Sequence, residues 1–164
     1  MEDIKQVFIK AYDEHADALF RYCFFKIHDR EKAKDILQET FTKTWGYIIL
    51  GNEVANMKAF LYKTLNNLVI DDYRKKKTLS LDALEEDGFE ARFEEVGSLE
   101  DKIDGKKALS FLRQLPEPYR EAVFMRFVNG LELSEIAMAT GDSLNTVAVH
   151  IHRGLKKLKE LYDK

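Results

Sequence analysis

The polar side chains best suited to chemistry stand near the end of the chain, as amides, histidines and cations at helical spacing. Asn145 could reach a base edge from the start of a helix, whereas Arg153, Lys156 and Lys157 suit phosphate groups. A nearby pair of histidines is two residues apart and points to different helix faces, so it cannot chelate a metal as an i, i+4 pair could. The pattern therefore indicates DNA binding and predicts no metal site.

Two short helices and a tight turn must position these groups. Residues 135–137 (Glu-Ile-Ala) predict a first helix with a small apolar inner side, Gly141 allows the turn, and Ser143 caps a final helix to about Tyr162. A helix-turn-helix presents such a second helix to the DNA major groove. A three-helix bundle without DNA contact would share this apolar pattern, so both interpretations stay open at this point.

The sequence lacks the usual signatures of an enzyme. It has no glycine-rich phosphate loop, no nucleophile elbow and no cysteine–histidine metal spacing. Its single cysteine, Cys23, stands among aromatic residues, which favours a buried, inert thiol and excludes a disulfide framework. We therefore expect a protein that is no enzyme and needs no cofactor.

Charge divides the chain into three parts. The net charge is −3, but residues 78–109 hold ten acidic and four basic side chains, a net −6. No apolar run is long enough to span a membrane and no signal-peptide pattern is present, so a cytoplasmic location is expected. With only two prolines and helical periodicity nearly throughout, the predicted fold is all-α. Two small helical domains, 1–77 and 105–164, are expected to be joined by a flexible acidic linker, 78–104.

Finer features of the helices can also be predicted. Asp29 is a candidate cap for an amphipathic helix that reaches Trp45, and residues 46–57 break its period and predict a loop. The next helix should run from about Lys58 to Lys76. After a start at the Pro116-Glu117-Pro118 segment, the apolar face of a further helix is predicted from four residues: Tyr119, Val123, Phe124 and Phe127.

Three segments resemble the extracytoplasmic-function (ECF) sigma factors of the bacterial sigma-70 family. Residues 34–45 (KDILQETFTKTW) are similar to the D-x-x-Q-E-x-F-x-x-x-W helix of sigma region two. Residues 59–77 (AFLYKTLNNLVIDDYRKKK) resemble that region's W-L-Y-R-I-A-x-N-x-x-x-D-x-x-R-x-x-x-R helix, and residues 115–121 (LPEPYRE) resemble the opening of region four. The three segments occur in the family's order around an acidic connector, and the resemblance covers nearly the whole chain.

The resemblance implies roles for specific residues. Asp35, Gln38 and Glu39 would dock on the largest subunit of core RNA polymerase, and the second-largest subunit is a further implied partner. The connector would run through the polymerase cavity and the RNA exit path. The loop of about residues 51–57 would capture a base flipped from the minus-ten element. The implied minus-ten contacts are Asn52, Asn56, Met57, Lys63, Asn67 and Arg74. The implied contacts to the minus-thirty-five element are Ser143, Asn145, Thr146, His150, Arg153, Lys156 and Lys157.

Departures from the family pattern affect region four. Glu132 replaces the usual capping serine, and Ala148 and His150 replace habitual cations of the recognition helix. Gly154 replaces an alanine, at an expected cost to the helix of ~1 kcal/mol. Recognition of the minus-thirty-five element is therefore predicted to be weaker than polymerase binding.

The sequence thus predicts an alternative sigma factor that binds core RNA polymerase and directs promoter-specific transcription initiation, with an anti-sigma factor or a DNA-targeting recruiter as further partners. Two alternatives remain. One is a stand-alone helix-turn-helix regulator, which the segments in region two disfavour. The other is a sigma factor whose region four is recruited by another DNA-targeting protein.

Overall fold

The computed structural model describes the backbone of residues 2–79 and 99–164, and the side chains of residues 3–77 and 105–164. The chain forms two compact units, Met1–Phe89 and Glu90–Lys164. Every regular element in the described ranges is a helix, which confirms the predicted all-α class. No helix in these ranges is long and apolar enough to cross a bilayer.

Unit 1 is a bundle of three helices, α1 (Glu2–Ile27), α2 (Arg30–Ile49) and α3 (Met57–Leu79). The side chain of Asp29 accepts a hydrogen bond from the backbone N–H of Lys32 at 3.2 Å and caps α2, as predicted. The predicted loop over residues 46–57 is too long, because α2 continues to Ile49 and α3 begins at Met57. The ring of Tyr47 packs on that of Phe60, with centroids 4.9 Å apart, and this contact favours the additional turn of α2.

The core of unit 1 is formed by large side chains from all three helices. Tyr22 of α1 and Tyr62 of α3 are fully buried, with ring centroids 5.4 Å apart. Cys23 is buried beside them, and burial raises the pKa of its thiol to about 12. The thiol is therefore neutral at physiological pH, in agreement with the prediction of an inert cysteine.

Unit 2 contains α4 (Leu99–Arg113), α5 (Glu117–Val123, continued by a π-helical turn at Phe124–Val128), α6 (Leu133–Thr140) and α7 (Leu144–Tyr162). Phe127, predicted to lie on the apolar face of α5, is 59% exposed, and Met125 is fully buried. The π-helical turn explains the difference: the N–H of Asn129 bonds to the carbonyl of Phe124, five residues back, which shifts the buried face.

The predicted linker overlaps helices at both ends. Helix α3 continues to Leu79, and α4 begins at Leu99. Residues 80–98, which carry most of the predicted acidic connector, lie outside the described residues.

Candidate nucleic-acid interface

A polar surface runs along α2. Asp35, Gln38 and Glu39 are all exposed, at spacings of three and four residues, which place them on one side of the helix. Neither carboxylate forms an ion pair within the described residues. The structure therefore brings these three predicted side chains together, with both negative charges available to a partner.

Aromatic packing fixes the orientation of this surface. The ring of Phe8 in α1 lies 5.9 Å from that of Phe41 and 5.0 Å from that of Trp45, and Tyr12 lies 4.8 Å from Phe41. Thr40 is fully buried, and its hydroxyl donates a hydrogen bond to the carbonyl of Ile36 at 2.7 Å. One side of α2 thus packs against α1, and the polar side faces solvent.

The loop between α2 and α3 is held by two of its asparagines. Asn56 caps α3, because its side-chain oxygen accepts the N–H of Ala59 at 3.0 Å, and Asn52 donates its amide to the carbonyl of Tyr47 at 3.1 Å. Met57, the third predicted contact here, is half-buried at the start of α3. Both amides therefore have a structural task besides any contact with a base.

Sequence reasoning missed the most exposed apolar side chain of this loop. Leu50 follows the end of α2 and is 82% exposed, beside Ile49 at 49%. The sequence carries this signal in the apolar run of residues 47–50, because such a run is unusual in a solvent-exposed loop.

A row of exposed side chains follows α3. Lys63, Asn67 and Arg74, which the resemblance implies as minus-ten contacts, are exposed at spacings of four and seven residues and share one side of the helix. Ile70 lies within the same row and is 45% exposed. Two cations, an amide and an apolar side chain in one row are suited to the backbone and unstacked bases of a single strand.

The residue next to this row fixes the rotation of α3. Asn66 is buried, and its side-chain oxygen accepts hydrogen bonds from the Tyr22 hydroxyl at 2.8 Å and from Lys26 Nζ at 3.0 Å. Both donors belong to α1. Asn67 lies about 100° further around the helix and is exposed.

An ion pair connects α2 to α3. Lys32 Nζ lies 3.0 Å from the carboxylate of Asp72, and both side chains are partly exposed. Burial by itself would lower the pKa of Lys32, but the hydrogen bond and the charge of Asp72 outweigh it, so that the pKa lies above the ordinary 10.5.

Unit 2 contains the predicted helix-turn-helix. Gly141 ends α6 with a φ of +83°, a left-handed conformation that favours glycine. The Ser143 hydroxyl accepts the N–H of Thr146 at 3.1 Å and caps α7, and the two side chains also bond to each other at 2.8 Å. Ser143 and Thr146, both predicted to contact DNA, therefore stabilise the first turn of α7.

The start of α6 has a different cap from the one the family pattern suggests. The carboxylate of Glu135 accepts the N–H of Glu132 at 2.8 Å. This bond satisfies a donor at the helix start from the third helical position, so the missing serine costs less than the sequence suggested.

The exposed side of α7 carries residues at spacings of three and four. Its members are Asn145, Ala148, His152, Lys156 and Lys159, and Arg153 and Lys157 are exposed on its flank. His152 and Lys159 were absent from the predicted contacts, although their distances of seven and fourteen residues from Asn145 indicated this side. No group of three or more potential metal ligands occurs in the described ranges.

His150 lies elsewhere on the helix. Its side chain is only 19% exposed, its ring lies 5.5 Å from that of Tyr119, and its Nδ1 atom lies 3.9 Å from the carboxylate of Asp142. Arg153 approaches the hydroxyl of the same tyrosine at 3.5 Å. His150 is thus directed toward α5 and the turn.

Gly154 permits a close approach of α7 to α5. A Cβ atom at this position would lie 2.6 Å from Val123 Cγ2 and 3.4 Å from the carbonyl oxygen of Tyr119. The expectation that this glycine weakens the domain is therefore incomplete, because an alanine would collide with the neighbouring helix.

Comparison with known proteins agrees with this arrangement. Residues 11–78 match the family described as Sigma-70 region 2, and residues 106–158 match Sigma-70, region 4. The chain is 28% identical over 155 residues to the RNA polymerase sigma factor SigV of Bacillus subtilis (strain 168), covering 94% of this chain and 90% of that protein. It is 26% identical to the ECF RNA polymerase sigma factor SigW of the same strain, covering 95% and 89%.

Solved structures share the fold. The sigma factor RpoE from Bartonella quintana, in complex with the anti-sigma factor NepR, matches with a TM-score of 0.72 and 24% identity, covering 99% of this chain and 98% of that one. CnrH in complex with the cytosolic domain of CnrY matches with a TM-score of 0.69 and 21% identity, covering 97% and 89%.

The two matched regions and their order define a transcription initiation factor. The chain belongs to the bacterial sigma-70 family, as an ECF sigma factor. It is an alternative sigma factor that acts in transcription initiation, with core RNA polymerase and promoter DNA as its partners.

Proposed function

We propose that the three exposed surfaces described above divide the work of initiation. The polar side of α2 docks on core polymerase, the loop and the exposed row of α3 hold the opened minus-ten element, and α7 enters the duplex at the minus-thirty-five element. Residues 1–77 then act as the docking and melting domain and residues 105–164 as the duplex-binding domain. The chain itself catalyses no reaction, and it works in the cytoplasm, where polymerase meets the chromosome.

The observation that carries the docking assignment is the pair of carboxylates on α2 that lack an ion pair in the described structure. Asp35 and Glu39 are exposed four residues apart, with the amide of Gln38 beside them. Complementary charge steers association and fixes register, so a basic surface on the partner would bind here.

Charge reversal tests this assignment. The double variant Asp35→Lys/Glu39→Lys should weaken binding to core polymerase at least tenfold in a titration. Asp13→Lys/Asp17→Lys on α1 is the matched control, because these carboxylates are also exposed and also four residues apart. Equal polymerase affinity of the two double variants, with unchanged helicity, would refute the docking role of α2.

We also propose that an anti-sigma factor regulates this chain. The support is the fold shared with RpoE and CnrH, which were solved in complex with NepR and with the cytosolic domain of CnrY. A protein that copurifies with the tagged chain from uninduced cells should lower the yield of a run-off transcript in proportion to its concentration. Copurified proteins that leave the transcript unchanged would argue against this regulation.

A further inference from the structure

The two histidines of α7 have different surroundings. His150 lies against the ring of Tyr119 and near Asp142, with 19% of its side chain exposed. His152 is exposed and stands on the opposite side, because two residues rotate an α-helix by about 200°. The family motif occupies the position of His150 with a cation, but it is His152 that faces solvent.

His152 continues a row that begins at the start of the helix. Asn145, Ala148 and His152 are exposed at spacings of three and four residues and cover about 10.5 Å along the axis. That length corresponds to about three base-pair steps of 3.4 Å. The row carries no lysine or arginine up to this point, and the cations Lys156 and Lys159 follow on the same side.

This order matches how a recognition helix divides its contacts. Residues in its N-terminal part contact base edges, whereas cations nearer the phosphates position the helix. An asparagine can bond in bidentate fashion to adenine, and alanine can contact the methyl group of thymine. An imidazole N–H can donate to the N7 or O6 acceptor of guanine.

We propose that His152, with Asn145 and Ala148, reads base edges of the minus-thirty-five element, and that His150 is a positioning residue that packs α7 against α5. The proposal rests on the function proposed above for α7. It identifies the upstream element as one that presents adenine, a thymine methyl group and a purine acceptor within about three base-pair steps.

The test uses the full chain with core polymerase. Promoters with a fixed minus-ten element and a randomised upstream element are transcribed, and the transcripts are sequenced to obtain a base preference at each position. His152→Ala should reduce the preference at one position roughly five- to tenfold. His152→Gln, which keeps a donor, should retain part of it, and His150→Ala should keep the wild-type profile but lower the Tm.

Each of the other possible outcomes contradicts one part of the proposal. A structured wild-type profile that His152→Ala leaves unchanged overturns the role of His152, while the function of α7 stands. A change of base preference in His150→Ala, at a temperature where that variant is folded, overturns the division between the two histidines. A wild-type profile without any upstream preference refutes both the duplex role of α7 and the reading of bases by Asn145, Ala148 and His152.

Discussion

Two adjacent asparagines in α3 have opposite surroundings. Asn66 is buried and accepts hydrogen bonds from Tyr22 and Lys26, whereas Asn67 is exposed beside Lys63 and Arg74. A buried donor that loses its acceptor keeps its full desolvation penalty, while an exposed amide can be replaced with little effect on folding. The same residue type therefore supports the fold at one position and lies on the exposed side of α3 at the next.

Alanine at each asparagine should separate these effects. Asn66→Ala should lower the free energy of unfolding of unit 1 by about 1–3 kcal/mol, because the Tyr22 hydroxyl and Lys26 Nζ lose their shared acceptor. Asn67→Ala should leave stability within about 0.5 kcal/mol and reduce open-complex formation. Urea denaturation gives the first result and permanganate footprinting of the promoter the second. Normal strand opening in Asn67→Ala would exclude it from the minus-ten surface.

Gly154 offers a second test at the scale of one residue. Gly154→Ala should lower the stability of unit 2 by up to about 2 kcal/mol, since overpacking against Val123 costs about 1–3 kcal/mol and the helix gains about 1. Gly105→Ala in α4 is the control, because a Cβ there meets nothing within 4 Å and the change should stabilise. Thermal unfolding of both variants measures these effects. A Tm of Gly154→Ala above that of the wild type would show that α5 and α7 can separate without cost.

At the scale of elements, the Lys32–Asp72 pair joins α2 to α3 and gives a pH-dependent contribution. The pKa of Lys32 is raised in the folded protein, so the stabilisation is complete below the unfolded pKa and is lost as pH rises through the folded one, above 10.5. Lys32→Met should be less stable than the wild type at pH 7, by at most about 1 kcal/mol, because both partners are partly exposed.

Urea denaturation at pH 7 and pH 11 measures this contribution. The difference between wild type and Lys32→Met should shrink at the higher pH. Lys34→Met removes an exposed cation paired with Glu31 at 3.5 Å and should show a smaller difference at pH 7. A difference for Lys32→Met that is the same at both pH values would mean that packing, not charge, accounts for it.

The sequence predicted which helices exist better than it predicted how they end and rotate. Periodicity indicated α2, α3 and the caps at Asp29 and Ser143, because these depend on neighbouring residues. The extra turn of α2 depends on Tyr47 meeting Phe60, and the exposure of Phe127 depends on a π-helical turn. A contact between two helices and a backbone hydrogen bond to the fifth preceding residue leave no signature in residue periodicity, so the local pattern could not predict them.

The candidate site could likewise be predicted only in part from the sequence. The exposed rows on α2 and α3 follow from residue spacing, which the sequence provides. The contact of His150 with Tyr119 and the close approach at Gly154 depend on how α7 packs on α5. The resemblance implies His150 as a DNA contact from its position in the motif, and a motif does not show how far the neighbouring helix covers a side chain.

At the scale of the whole molecule, the distribution of charge limits how strongly the chain can hold duplex DNA. Residues 110–164 hold eight basic and seven acidic side chains, a net +1. Four cations are exposed on or beside the outward side of α7, at Arg153, Lys156, Lys157 and Lys159. A strong duplex binder makes about six to ten phosphate contacts, so this surface provides roughly half that number.

A fragment of residues 99–164, checked for helicity by circular dichroism, should therefore bind its upstream element weakly, with a slope of log affinity against log salt of about −3 to −4. Removing one cation, as in Lys156→Ala, should reduce the slope by about 1, whereas Ala148→Lys should increase it. A shallow slope means that promoter choice rests on unit 1, or on a second DNA-bound protein that brings region four to its site. Tight, sequence-specific binding with a slope steeper than about −6 would contradict this, because it requires phosphate contacts that α7 does not provide.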